Sequence, residues 1–160
     1  MNLTQETGAA PDPKTIHQLV KLLASNARPS ALRNNSFIVN EVPVEFRIIA
    51  DENMLATILS RLLYCLVNHG ENSCIRVTAK EYDDIIFVQM KSDHGFDNEA
   101  IESDLQQAQS YAKKMNGNIG LSKDDDKITG IIFSFPNMDF SKKSVGFAAQ
   151  NTIQTVSHLF

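Results

Sequence analysis

The chain has 160 residues and a mass of 17.8 kDa, enough for one domain with a sizeable core and short tails. Hydrophobic residues make up 42% and charged residues 21%, the balance of a globular protein that keeps a solvated surface. A net charge of −4 and a pI near 5.5 argue against nucleic acid or an anionic membrane as the main partner, because both demand a basic surface.

Residues 1–12 are polar, contain Gly8 and Pro11, and read as a disordered lead. They lack the basic stretch followed by an apolar one that marks a signal peptide. No apolar run anywhere has the length of a membrane span, so a cytoplasmic location is expected. A first helix is predicted over residues 13–27, with Ile16, Leu19, Val20, Leu22 and Leu23 on its apolar side and Pro29 as its end or kink. A short helical turn over residues 30–34 follows. Two strands are predicted next, over 37–42 and 44–50, divided by Pro43, which has no amide to donate to a ladder.

The strongest pattern lies over residues 51–69. Met54, Leu55, Ile58, Leu59, Leu62, Leu63, Leu66 and Val67 repeat at i, i+1, i+4 and i+5, the spacing of one buried helix face. Asp51 is placed to accept from the free amides of the first turn, and Gly70 is expected as a left-handed stop. The run 74–81 alternates Ile75, Val77 and Ala79 with Arg76, Thr78 and Lys80, so it reads as a half-buried strand paired with 85–92 around Tyr82, Asp83 and Asp84. Cys65 late on the core helix and Cys74 at the strand start show neither disulfide nor metal spacing, and both read as small buried hydrophobes.

A further helix is predicted over residues 98–115. Asn98 is the candidate cap, Glu99 and Glu102 favour the positive end, Lys113 and Lys114 the negative one, and Asn116-Gly117 is the stop. A last hairpin, 118–122 with 128–135, turns at residues 123–127. The acidic run there lacks the glycine and closing glutamate of a calcium loop and reads as a solvated turn. Residues 139–160 form a tail whose Phe147, Ile153, Val156, Leu159 and Phe160 are too apolar for a free polar end.

These elements describe an α+β two-layer sandwich, a mixed and mostly antiparallel sheet with helices on one face. Over residues 13–138 the order resembles the ATP-binding domain of sensor histidine kinases, the Bergerat fold shared with gyrase, Hsp90 and MutL. Four segments carry the resemblance: RIIADENMLATILSRLL, YCLVNHGENSCIRVTA, YAKKMNGNI and KITGIIFSFP.

The resemblance implies a site whose parts can be compared one by one. The family's core helix holds magnesium through two polar residues four apart, because a hard cation needs oxygen ligands. Arg61 and Cys65 occupy those places, a cation and a thiol that suit magnesium poorly. Asn68 stands where a phosphate-contacting basic residue is common, with His69 after it. The adenine-reading aspartate and its glycine match Asp93 and Gly95; with the register shifted by two, Gly95 becomes the second glycine and Lys91 takes the aspartate's place. Ala100, Glu102 and Asp104 stand at the positions of the phosphate-cradling glycines, and the mobile lid has no counterpart in length.

The resemblance therefore implies a vestigial pocket of Arg61, Cys65, Asn68, His69, Asp93 and Gly95, with no resident metal or catalytic residue. The function expected is a degenerate ATPase-like module contacting a signalling kinase or a response regulator, with no cofactor, and possible self-association through the C-terminal tail. The alternatives are an ATP-binding domain with an atypical pocket, taking ATP weakly and without metal, and a histidine phosphotransfer protein using His17. On residue chemistry alone His17, His94 and His158 read as surface histidines.

Overall fold

The computed structural model describes residues 15–96 and 98–137. The expectations for residues 1–14 and for the tail from 138 onward lie outside the described residues.

Helix α1 (Ile16–Arg33) starts with a reciprocal cap. The Thr15 hydroxyl accepts from the Gln18 amide at 3.1 Å and the Gln18 side chain accepts from the Thr15 amide at 3.3 Å. The helix does not stop at Ala27. It runs through Pro29 to Arg33 as one element, which corrects the reading of a break followed by a separate turn. Proline removes one intrahelical donor, but Ala27 and Ala31 on either side of it are both buried, so packing holds the last turn against that loss.

Strand β1 (Phe37–Asn40) is shorter than expected, and no strand forms over 44–50. After Asn40 the Glu41 amide still reaches the Val77 carbonyl, and then the chain turns at Pro43, whose carbonyl accepts from Phe46 at 3.1 Å. The segment crosses the start of α1, meeting it at the bridge between Thr15 and Arg47 and at the His17–Val42 hydrogen bond, and buries Val42 and Ile48 singly. Its alternation served to seat individual side chains rather than to build a ladder.

Helix α2 (Glu52–His69) follows the sequence pattern. Asp51 accepts from the Met54 amide at 3.1 Å. Leu55, Ile58, Leu59, Leu62, Leu63 and Leu66 are each at most 1% exposed. Gly70 differs from expectation: it is extended, with φ −111° and ψ 151°, not left-handed. Its role is steric, since a Cβ there would stand 2.9 Å from the Phe96 ring and 3.0 Å from the Leu66 carbonyl.

Strands β2 (Cys74–Tyr82) and β3 (Ile85–Phe96) form the first hairpin, with Asp83 and Asp84 at φ 53° and 65°. Helix α3 (Asn98–Lys114) ends when Asn116 turns left-handed at φ 58° and the Gly117 amide bonds back to Ala112. Nothing is described of position 97 or of the Asn98 side chain. Strands β4 (Asn118–Asp124) and β5 (Lys127–Pro136) form the second hairpin, turning at Asp125 and Asp126 with φ 50° and 67°. In both hairpins two aspartates with positive φ match the turn that suits twisted strands, because their short polar side chains tolerate the left-handed region. The acidic run is thereby accounted for as a turn.

The sheet order is β1-β2-β3-β5-β4, parallel between β1 and β2 and antiparallel elsewhere. One core unites the buried faces of all three helices with Ile75, Val77, Ile86, Val88, Met90, Ile131 and Phe133 of the sheet. The helices thus form a single layer on one face, with α2 central. Ile85, Phe87 and Ile132 alternate onto the other face and are buried too. No helix among the described residues is long and apolar enough to cross a membrane.

Candidate functional site

The outer faces of α2 and α3 enclose a cleft of ≈ 500 Å³. Arg61, Cys65 and Asn68 line it from α2, and Ser103, Asp104 and Gln107 from α3. Residues 61, 65, 68 and 69 recur at helical spacing, so one face of α2 presents all of them. Their partners come from α3, which sits close because β3 ends at Phe96 and α3 begins at Asn98, with a single residue between.

Three contacts tie the helices across the cleft. Arg61 Nη1 donates to Gln107 Oε1 at 2.7 Å, and the guanidinium lies 5.2 Å from the centre of the Tyr111 ring. His69 Nε2 meets Asp104 Oδ2 at 2.6 Å. Arg61 therefore spans the cleft, with a neutral amide as its hydrogen-bond partner and an aromatic face as its second contact. Cys65 is buried behind this rim. Burial first, and the Asp104 charge second, push its thiol up to about 12, so it is held as the neutral thiol.

Asp93 and Gly95 do not join this group. The Asp93 carboxylate accepts from the Cys74 amide at 2.8 Å and meets His94 Nδ1 at 2.9 Å. The Cys74 amide bond holds Asp93 below the usual aspartate value; burial opposes it, and the His94 hydrogen bond adds to the lowering. Gly95 packs on β5, where a Cβ would stand 2.6 Å from Lys127 Cβ. The Asp-x-Gly spacing thus has a local structural reason. Ala100, Glu102 and Asp104 lie in the first turns of α3 as ordinary helical residues.

His17 is not a free surface histidine. Its Nδ1 donates to the Val42 carbonyl at 2.8 Å, which fixes the ring on the segment after β1. His94 is exposed and pairs with Asp93, as expected for a surface histidine. His158 lies outside the described residues. Asp104 stands out in sequence only as a replacement for a phosphate-cradling glycine, and Gln107 has no sequence signal beyond its place on a polar helix face, because only packing sets them opposite α2.

No family model matches the sequence, and no curated protein matches it. Solved structures do. The Acinetobacter baumannii histidine kinase AdeS superposes with a TM-score of 0.69 at 7% identity, over 80% of this chain and 68% of that one. The catalytic domain of the histidine kinase ThkA gives 0.63 at 14%, over 81% of this chain and 97% of that domain. The fold is that of a histidine kinase ATPase catalytic domain. Full-length ShkA, solved in complex with AMPPNP, matches with a TM-score of 0.66 at 19% identity; 81% of this chain covers 33% of it.

Proposed function

We propose that this chain is a degenerate histidine kinase-like ATPase module that acts by contacting proteins in bacterial-type signal transduction and neither hydrolyses ATP nor transfers its phosphate. The single observation that carries this reading is the direct passage from β3 into α3. With one intervening residue there is no length for a lid, and α3 stands against α2 through Arg61–Gln107 and His69–Asp104.

A triphosphate in that cleft would meet the Asp104 carboxylate, and the neighbouring positions offer a thiol and a guanidinium in place of two oxygen ligands for magnesium. Losing a metal site and an anion-binding helix start removes several kcal/mol each, while a micromolar affinity amounts to only about 8 kcal/mol. A protein partner is the occupant that such a domain can still engage. ThkA, solved in complex with the response regulator protein TrrA, gives the precedent for a response regulator.

Calorimetry with ATP, with and without magnesium, tests the reading. The expected result is no magnesium-dependent binding tighter than millimolar and no autophosphorylation. A micromolar, magnesium-dependent signal that disappears in Asp93→Ala would overturn it in favour of a nucleotide-binding domain with an atypical pocket.

A further inference from the structure

Cys65 and His69 stand one turn apart on α2, and Asp104 faces them from α3. The Cys65 sulfur, a His69 ring nitrogen and an Asp104 carboxylate oxygen all lie within 4.8 Å of one another. Among the described residues this is the one place where three such side chains converge. We propose that these three side chains bind a borderline-soft divalent transition metal, of which zinc is the type, with the fourth position open to the cleft. The site lies in the same cleft as the positions compared with the family's magnesium ligands, but its donor set is different and it needs no nucleotide.

The donor set selects the metal. A thiolate, an imidazole and a carboxylate suit zinc or cobalt and disfavour magnesium and calcium, which prefer oxygen alone. Zinc bonds of roughly 2.0–2.3 Å in a tetrahedron place donor atoms somewhat under 4 Å apart. That spacing is longer than the 2.6 Å between His69 Nε2 and Asp104 Oδ2 and shorter than the 4.8 Å limit of the group, so the two outer ligands have to part from each other while closing on the sulfur. His69 is the last residue of α2, and the Asp104 side chain is about half exposed, at 53%. Cys65, the buried ligand, is the fixed point.

Charge also balances. Thiolate and carboxylate together carry two negative charges against the two positive charges of the ion, so Arg61 in the same cleft faces no net cation. Binding displaces the thiol proton to solvent, and the hydrogen shared by His69 Nε2 and Asp104 leaves that contact, the neutral ring keeping its one proton on Nδ1: a metal–sulfur and a metal–nitrogen bond form as a sulfur–hydrogen and a nitrogen–hydrogen bond break, with no redox change. Three protein ligands and an open position are the coordination of a reactive or shared zinc rather than a closed structural one. The polar rim of Asn68, Ser103 and Gln107 leaves room there for water or for a side chain from a docked protein.

The competing account is that His69 and Asp104 form only a hydrogen-bonded tie between helices. Cobalt separates the two. The full chain, reduced and freed of metal, is titrated anaerobically with cobalt(II) and then with zinc. The expected result is about one equivalent bound at micromolar affinity or tighter, a near-ultraviolet thiolate-to-cobalt band, and visible bands of four-coordinate intensity that zinc abolishes. Cys65→Ser should remove the thiolate band, Cys74→Ser should leave it, and Asp104→Asn should weaken binding by about tenfold or more. Asp104 is half exposed, so its variant keeps the fold and keeps the test decisive. Absence of the thiolate band in the parent chain, its survival in Cys65→Ser, or unchanged affinity in Asp104→Asn would each overturn the proposal. None of these outcomes bears on nucleotide binding, which the calorimetry above reads separately.

Discussion

Replacing Leu62 with alanine should expose how far the fold depends on α2. Leu62 is 1% exposed and sits mid-helix, where α1, α3 and the sheet all converge on the same core. The substitution deletes three carbons, worth about 2.5 kcal/mol of transfer free energy at about 0.8 per methylene. The cavity adds to that, because a central helix held on three sides has little freedom to collapse into it. A total of about 2–5 kcal/mol follows. Against a domain stability of about 5–15 kcal/mol this is a large fraction. In urea the midpoint should fall by roughly 1–2 M with the slope unchanged, since the same surface is exposed on unfolding. Arg61→Ala on the adjacent, exposed position is the control. It loses one hydrogen bond and one ring contact at the surface and should cost about 1 kcal/mol or less. A loss under about 0.5 kcal/mol for Leu62→Ala, or one no larger than for Arg61→Ala, would refute the assignment of the buried face.

Two further outcomes are expected. Asp93 binds its proton less readily in the folded chain than at the ordinary value of 3.8, so its stabilising contribution is complete above that pH and is lost as the pH falls through the lower folded value. Carboxyl NMR titration should find Asp93 below 3.8 and Asp93→Asn should flatten this part of the acid limb; a titration at or above 3.8 would count against the Cys74 and His94 contacts. Residues 147–160 carry Phe147, Ile153, Val156, Leu159 and Phe160, which are expected to pack on the sheet or to self-associate. Deleting them should lower the melting temperature or change the sedimenting mass, and no change in either would end that expectation.

The sequence by itself determined the elements that repeat. The leucine stripe of α2 was legible because a buried helix face needs apolar residues at a period of about 3.6, and no other local structure uses that spacing. The hairpins were legible because alternation and paired aspartates are local signals of strand and turn. The short passage from β3 to α3 was a matter of counting residues between Gly95 and the next helix. Where the sequence reading failed, a distant contact had overruled a local preference. Pro29 is carried inside α1 because Ala27 and Ala31 are buried beside it. Residues 44–50 form no strand because the chain turns at Pro43 and crosses the start of α1. Gly70 is needed for the nearness of Phe96 and Leu66 rather than for a left-handed turn.

The candidate site divided along the same line. Arg61, Cys65, Asn68 and His69 share one helix face, and helical period alone aligns them. Their partners were a tertiary matter. Asp104, Gln107 and Tyr111 belong to a second helix some forty residues on, and only the packing of α3 against α2 brings them across the cleft. Asp93 and Gly95 looked like part of the pocket in sequence, yet the sheet turns the one toward the Cys74 amide and packs the other on Lys127. Local spacing specifies which side chains share a face. Which face meets it depends on burying the apolar sides of two helices together, and that free energy belongs to the whole core rather than to any stretch of sequence.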